Sequence, residues 1–129
     1  SRHANEPLRG VDVDMSQISD LVPTLAIVAM FAKTPTQIRK VGFIRNKESD
    51  RIGDLASEMR SLGAKVVEHE DGLEILPQVL HSGRCDTHHD HRLAMAFGVA
   101  GLKQPGVIIG EPQVVGKSWP QFWEMLEAL

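Results

Sequence analysis

The 129-residue sequence contains a single cysteine, Cys85, so an intrachain disulfide framework is excluded. A lone cysteine suits a reducing compartment. No apolar run approaches the roughly 18 residues that a membrane span requires, and no basic stretch followed by an apolar one opens the chain. Positive charge is not in excess, because 14 Lys and Arg stand against 17 Asp and Glu. The net charge of −3 supplies no bulk attraction to nucleic acid or to an anionic membrane surface. Aromatic residues are sparse at 5%, yet 42% of the chain is hydrophobic. That material suits one domain of the common size, about 100–150 residues, able to bury a core without disulfides or a structural metal. The expectation is one soluble cytoplasmic domain that binds neither nucleic acid nor membrane. The chain opens on Ser1 rather than Met, which suggests processing, a vector scar or a cut end.

Residues 1–10 show no sustained periodicity and are expected to be disordered or a tag remnant. Alternation over 11–14 predicts a short strand. A helix is predicted over 20–32, capped by Ser19 or Asp20, with Pro23 tolerated in its first turn. Residues 37–44 read as a strand. Ile52, Leu55, Ala56, Met59 and Leu62 fall at helical spacing behind a cap at Ser49 or Asp50, and Gly63 stops that helix. Strands are predicted over 64–68 and 73–76 around an Asp71-Gly72 turn. A loop with Pro77 and Gly83 precedes a helix over 90–101 and a strand over 107–109. Ser118, Pro120 and Gln121 mark the start of a last helix, with Trp119 and Trp123 on its apolar side. The fold class is therefore α/β (α+β), with β-α-β-β-α-β order over about 36–110. The helical stretches 21–32 and 93–100 have scarcely a polar face, so each needs apolar neighbours on all sides.

Charged residues gather where helices begin. The segment Arg-Asn-Lys-Glu-Ser-Asp-Arg (45–51) enters a helix N-terminus, which suits an oxyanion ligand or, alternatively, forms a solvated loop. Arg51, in the first turn, needs a carboxylate or an anion beside it. Thr-His-His-Asp-His-Arg (87–92) invites a zinc reading, but consecutive residues of an extended segment face opposite ways and no metal-ligand spacing completes a set. Asp90 reads better as an N-cap, with His91 and Arg92 adding positive charge there. Gly-Lys-Ser (116–118) lacks the earlier glycine of a phosphate loop, because Glu111 stands in its place. Lys117 remains a reasonable anion contact. Cys85 reads as a packing thiol, and Met95 and Phe97 as core.

In order and spacing, these motifs resemble the C-terminal part of the 3-phosphoshikimate 1-carboxyvinyltransferase (EPSP synthase) family. The resemblance rests on Asp14-Met15 with Asp20, the 45–51 segment, Asp-His-Arg-Leu-Ala-Met-Ala (90–96) and Gly-Lys-Ser-Trp-Pro (116–120). It covers the chain from about residue 11. It implies an incomplete enolpyruvyl-transferase domain, an inside-out α/β barrel built from βαββαβ units, of which 11–129 is a part. The implied activity is transfer of the enolpyruvyl group of phosphoenolpyruvate to the 5-hydroxyl of shikimate 3-phosphate, with release of phosphate and without cofactor or metal.

The resemblance also implies roles. Asp20 matches the carboxylate at the 5-hydroxyl, Lys47 a lysine at the reacting centre, and Glu48 the carboxylate that moves a proton at the methylene carbon. Arg51, Arg92 and Lys117 match the cations that hold phosphoenolpyruvate, with His91 beside them. Guanidinium forks suit a ligand bearing both carboxylate and phosphate. Phe43 stands where many members carry a polar contact to shikimate 3-phosphate. The family's N-terminal lysine, Ser-Ser-Gln cluster and a further arginine have no counterpart here. The implied partner is thus the missing N-terminal domain, and the chain alone is expected to be inactive. Exposed apolar helices would favour self-association. Two alternatives stand beside it: a UDP-N-acetylglucosamine enolpyruvyl transferase, against which the Lys-Glu-Ser-Asp-Arg segment (47–51) argues, and a ferredoxin-like module that binds a small anion, with which the βαββαβ order is compatible.

Overall fold

The computed structural model describes residues 8–47, 49–104 and 106–110. In chain order these form β1 (Asp12–Asp14), α1 (Val22–Ala29), β2 (Thr36–Arg39), α2 (Gly53–Ser61) and β3 (Lys65–His69). There follow β4 (Gly72–Leu76), β5 (Gly83–Cys85), α3 (His91–Lys103) and β6 (Val107–Ile109). The helical spacing read for 52–62 is realised in α2, where Leu55, Ala56 and Met59 are buried and Ile52 and Leu62 are buried at its two ends. Gly63 ends the helix with a φ of +87°, a conformation open to glycine at little cost.

A mixed sheet has strand order β1-β2-β4-β3. β1 runs parallel to β2 with α1 as the crossover, and β4 is antiparallel to both of its neighbours. β5 and β6 pair in parallel as a second, two-stranded sheet, with α3 as their crossover. The core joins Met15, Ile38, Ile44, Ile52, Leu73 and Phe97, while α1 packs against α3 and α2 against β3 and β5. The two strongly apolar helices therefore cover one another, leaving only Val28, Val99 and Leu102 as their partly exposed large aliphatic residues after the first turn.

Several expectations are corrected. Residues 8–10 are not frayed: the Lys33 N–H donates to the Leu8 carbonyl at 2.8 Å, and the Gly10 N–H donates to Thr34 Oγ1 at 2.7 Å. The strand expected over 37–44 stops at Arg39, because Lys40 takes a φ of +63° and Gly42–Asn46 winds as a 3-10 turn. Val41 and Ile44 are both buried, as the three-residue period of that turn allows. The helix expected from residue 20 begins as a 3-10 turn, Ser19–Leu21, before α1 proper. The hairpin turns on Glu70 and Asp71, since His69 pairs with Gly72. Gly72 is needed for close packing, because a Cβ there would lie 2.0 Å from the Ile38 carbonyl oxygen. The region read as a loop contains β5, so the order over 36–110 gains a strand. The helix expected after Pro120, with Trp119 and Trp123, lies outside the described residues. Among the described residues, no helix is long and apolar enough to cross a membrane.

Candidate active site

The start of α2 is fixed from two directions. Asp50 Oδ1 accepts the N–H groups of Ile52 and Gly53 at 3.1 and 2.9 Å, and Asp54 Oδ2 accepts the Asp50 N–H at 3.2 Å. This reciprocal arrangement satisfies donors that a helix start leaves open. Arg45 then pins the segment to the β3–β4 hairpin. Its Nη1 lies 3.1 Å from Asp50 and 2.9 Å from Glu68, and its Nε and Nη2 donate to the carbonyls of Glu70 and His69. With Asp50 as the cap, Ser49 and Arg51 turn inward instead.

Arg51 meets Asp90 across the gap between α2 and α3. The guanidinium donates from Nε to Asp90 Oδ2 at 2.7 Å and from Nη2 to Oδ1 at 3.1 Å, a bidentate pair. Both side chains are enclosed, at 2% and 0% exposure. Ser49 Oγ donates to the same Oδ2 at 2.7 Å, and the Arg92 N–H donates to Oδ1 at 2.9 Å, which makes Asp90 the N-cap of α3. Burial pushes the Asp90 carboxyl upward, but the hydrogen bonds from Arg51 and Ser49 and the Arg51 charge outweigh it. They hold the group below its ordinary value. The charge expected to be uncomfortable in the first turn of α2 is thus met by a buried carboxylate.

A second carboxylate completes the cluster. Asp20, in the turn before α1, lies 3.2 Å from Arg51 Nη1 through Oδ1 and 3.9 Å from Arg92 Nη2 through Oδ2. Unlike Asp90 it is open to solvent, with 56% exposure. The structure therefore brings together Asp20, Arg51 and Arg92, one from each of three element starts. His91 is the first residue of α3 and is half-buried beside Arg92. Lys47 stands on the exposed end of the 3-10 turn, with Nζ 6.0 Å from the centroid of the Phe43 ring. Glu48 and Lys117 lie outside the described residues.

Among the described residues, no three His, Cys, Asp or Glu side chains form a group that could hold a metal ion. Two residues escaped the sequence reading. Ser49 was one of two equivalent-looking caps, and only the inward turn of the chain assigns it to Asp90. Glu58 lies two helical turns after Arg51, at the margin of the apolar stripe. Its buried position was legible only from that seven-residue spacing.

Comparison with known proteins follows the same lines. Residues 1–126 match the family model described as EPSP synthase (3-phosphoshikimate 1-carboxyvinyltransferase). A 3-phosphoshikimate 1-carboxyvinyltransferase of Nostoc punctiforme is 48% identical over 124 residues, which cover 93% of this chain and 29% of the relative. The fold matches a solved EPSP synthase from Acinetobacter baumannii with a TM-score of 0.87 and 31% identity, over 95% of this chain and 30% of that one. It also matches the enolpyruvyl transferase NikO from Streptomyces tendae, with a TM-score of 0.74 and 28% identity over 97% of this chain and 29% of that one. The chain thus spans about 29% of the length of the curated relatives it matches.

Proposed function

Because the chain belongs to the EPSP synthase family, we propose that it supplies one part of an enolpyruvyl-transfer site. In that reaction the enolpyruvyl group of phosphoenolpyruvate passes to the 5-hydroxyl of shikimate 3-phosphate and inorganic phosphate leaves. The observation that carries the reading is the placement of Asp20 between Arg51 and Arg92, with its carboxylate solvent-accessible while Asp90 is sealed. A carboxylate so placed, open to solvent beside two guanidinium groups, can accept the proton that the attacking hydroxyl must lose. Arg92, with His91 beside it, presents positive charge to the ligand's carboxylate and phosphate. Arg51 uses its Nε–Nη2 edge on Asp90, which fixes the plane of the guanidinium. Its Nη1 is held by Asp20 at 3.2 Å, and its place among the cations that hold phosphoenolpyruvate rests on family resemblance. Dense fixed cations also stabilise the charge that develops on departing phosphate. Lys47, Glu48 and Lys117 complete the set by family resemblance.

On this reading residues 11–129 form part of a larger domain, the remaining substrate groups come from sequence like that of the relatives' other two-thirds, and the setting is the cytoplasm. The 129-residue chain then binds its ligand without turning it over. The test is NMR titration of the chain with phosphoenolpyruvate, with and without shikimate 3-phosphate, following the arginine Nε–H signals. Arg92 is expected to shift and saturate, and Arg92→Lys to weaken binding by about tenfold through loss of the planar fork. Absence of any shift at about 10 mM ligand, where a Kd of about 1 mM would already saturate, would refute the proposal.

A further inference from the structure

A second cluster on α2 takes no part in the site just described. Glu58, whose side chain is 11% exposed, uses both carboxylate oxygens on the segment between β5 and α3. Oε1 accepts the Asp86 N–H at 2.9 Å, and Oε2 lies 2.9 Å from His88 Nε2. One turn earlier, Asp54 Oδ2 lies 3.7 Å from His88 Nδ1. Asp86 Oδ1 accepts the His88 N–H at 2.8 Å, and the Cys85 thiol donates to the Glu58 carbonyl at 3.8 Å. The helix and the residues leading into it therefore grip this segment twice, by Glu58 near the segment's start and by Arg51 and Ser49 at Asp90.

Between the two grips the backbone is strained. His88 and His89 take φ values of +51° and +59°, in the left-handed region. That conformation is disfavoured for an L-residue, and it persists only where the surroundings over-determine it. The next residue is Asp90, followed by His91 and Arg92.

We propose that Glu58 is a positioning residue: by clamping His88 and the Asp86 N–H, it holds 86–89 on the path, left-handed at His88 and His89, that delivers Asp90 to Arg51 and Arg92 to Asp20. The functional consequence rests on the proposed anion site, whereas the geometric claim stands without it. The clamp responds to acid. His88 faces carboxylates from every side packed on it: Glu58 and Asp54 from α2 and Asp86 from its own segment. Desolvation opposes its protonation, but the hydrogen bond to Glu58 and the neighbouring negative charges prevail, so its pKa is raised above 6.5. A raised folded-state value gives stabilisation that is complete below the unfolded value of about 6.5 and is lost as pH rises through the folded one.

The experiment is residue-resolved amide hydrogen exchange on the 129-residue chain, with the His88 ring followed by NMR across the same pH range. In Glu58→Gln, exchange at Asp90 and Arg92 is expected to quicken by about tenfold or more, the effect of losing one hydrogen bond between charged groups. Exchange at Met30, at the end of α1, should not change. In the wild type, protection at Asp90 and Arg92, corrected for base catalysis, should fall with the titration of His88, and Glu58→Gln should abolish that step. His88→Asn, in which Asn tolerates the left-handed backbone, should also lose the step, and it serves if Glu58→Gln does not fold. Unchanged protection, or a step that survives both substitutions, overturns the proposal. Phosphoenolpyruvate added as a probe separates the two readings. An Arg92 signal that never shifts in the wild type refutes the anion site, while the exchange result still decides the clamp.

Discussion

Arg51 and Asp90 share two parallel hydrogen bonds, of 2.7 and 3.1 Å, in a space closed to solvent, although 38 residues separate them in the chain. Such a pair gives little net stability against an apolar substitute, since desolvation offsets most of the attraction. Removing one partner is different, because the other is left charged and unpaired. Asp90→Ala also deletes the cap of α3. We expect Asp90→Ala to lower stability by about 3–5 kcal/mol in urea unfolding. The double variant Arg51→Met/Asp90→Leu should recover much of that loss. Asp20→Asn, at the exposed end of the same network, should cost no more than about 1 kcal/mol. Equal losses from Asp20→Asn and Asp90→Ala would contradict the assignment of Asp90 as the buried anchor.

The same pair sets an acid limit. The Asp90 carboxyl is held below its ordinary 3.8. A depressed folded-state value gives stability that is present above the unfolded value and is lost as pH falls through it toward the folded one. Wild-type urea midpoints should therefore drop steeply below about pH 4. The Arg51→Met/Asp90→Leu chain, without this titration, should show a shallower decline. Parallel curves for the two proteins would exclude Asp90 as a source of acid sensitivity.

How far the sequence foretells this arrangement differs between its parts. The α2 stripe and the Asp90 cap were legible because each depends on residues a few positions apart, where local periodicity and side-chain-to-backbone geometry decide. β5 was not, because Gly83 and Arg84 carry no strand signal and the strand exists through pairing with β6, some twenty residues on. The end of β2 was missed because Lys40 adopts a left-handed backbone that nothing in its chemistry announces. Family resemblance brought Asp20, Arg51 and Arg92 into one list. Only the structure shows that Arg51 is sealed while Asp20 is open, since that follows from packing between distant elements.

Two glycines should respond in opposite ways to the same substitution. A Cβ on Gly72 would lie 2.0 Å from the Ile38 carbonyl oxygen and 3.0 Å from its carbon, both backbone atoms of the paired strand β2. Backbone cannot swing aside as a flexible side chain can, so the β2–β4 ladder must separate. Gly72→Ala is expected to cost about 3 kcal/mol. On Gly42 the nearest atom to an added Cβ is 3.4 Å away, an ordinary contact. Gly42→Ala should stay within about 0.5 kcal/mol of wild type, or gain slightly by restricting the unfolded chain. Thermal and urea unfolding of the two variants decide the matter, and a Gly72→Ala protein as stable as Gly42→Ala would show that β4 does not approach β2 so closely.

Cys85 lies at the inner end of β5 and is 1% exposed. Burial, with the Glu58 charge nearby, pushes its thiol up to about 12. Thiolate is the reactive form, so at pH 8 the folded protein holds almost none, and no reagent reaches the sulfur without opening of the β5–α2 contact. Labelling by a thiol reagent such as 5,5′-dithiobis(2-nitrobenzoate) should therefore be slow and should depend on the frequency of opening rather than on reagent concentration once closing becomes slower than reaction. The Cys85 thiol rests on the Glu58 main-chain carbonyl, which Glu58→Gln keeps, whereas the adjacent Asp86 N–H rests on the Glu58 carboxylate. The variant should therefore speed labelling by loosening the segment that follows Cys85, together with exchange at Asp90. Rapid stoichiometric labelling of the native wild type would show that β5 is not held against α2, and labelling unaffected by Glu58→Gln would separate the thiol from the clamp.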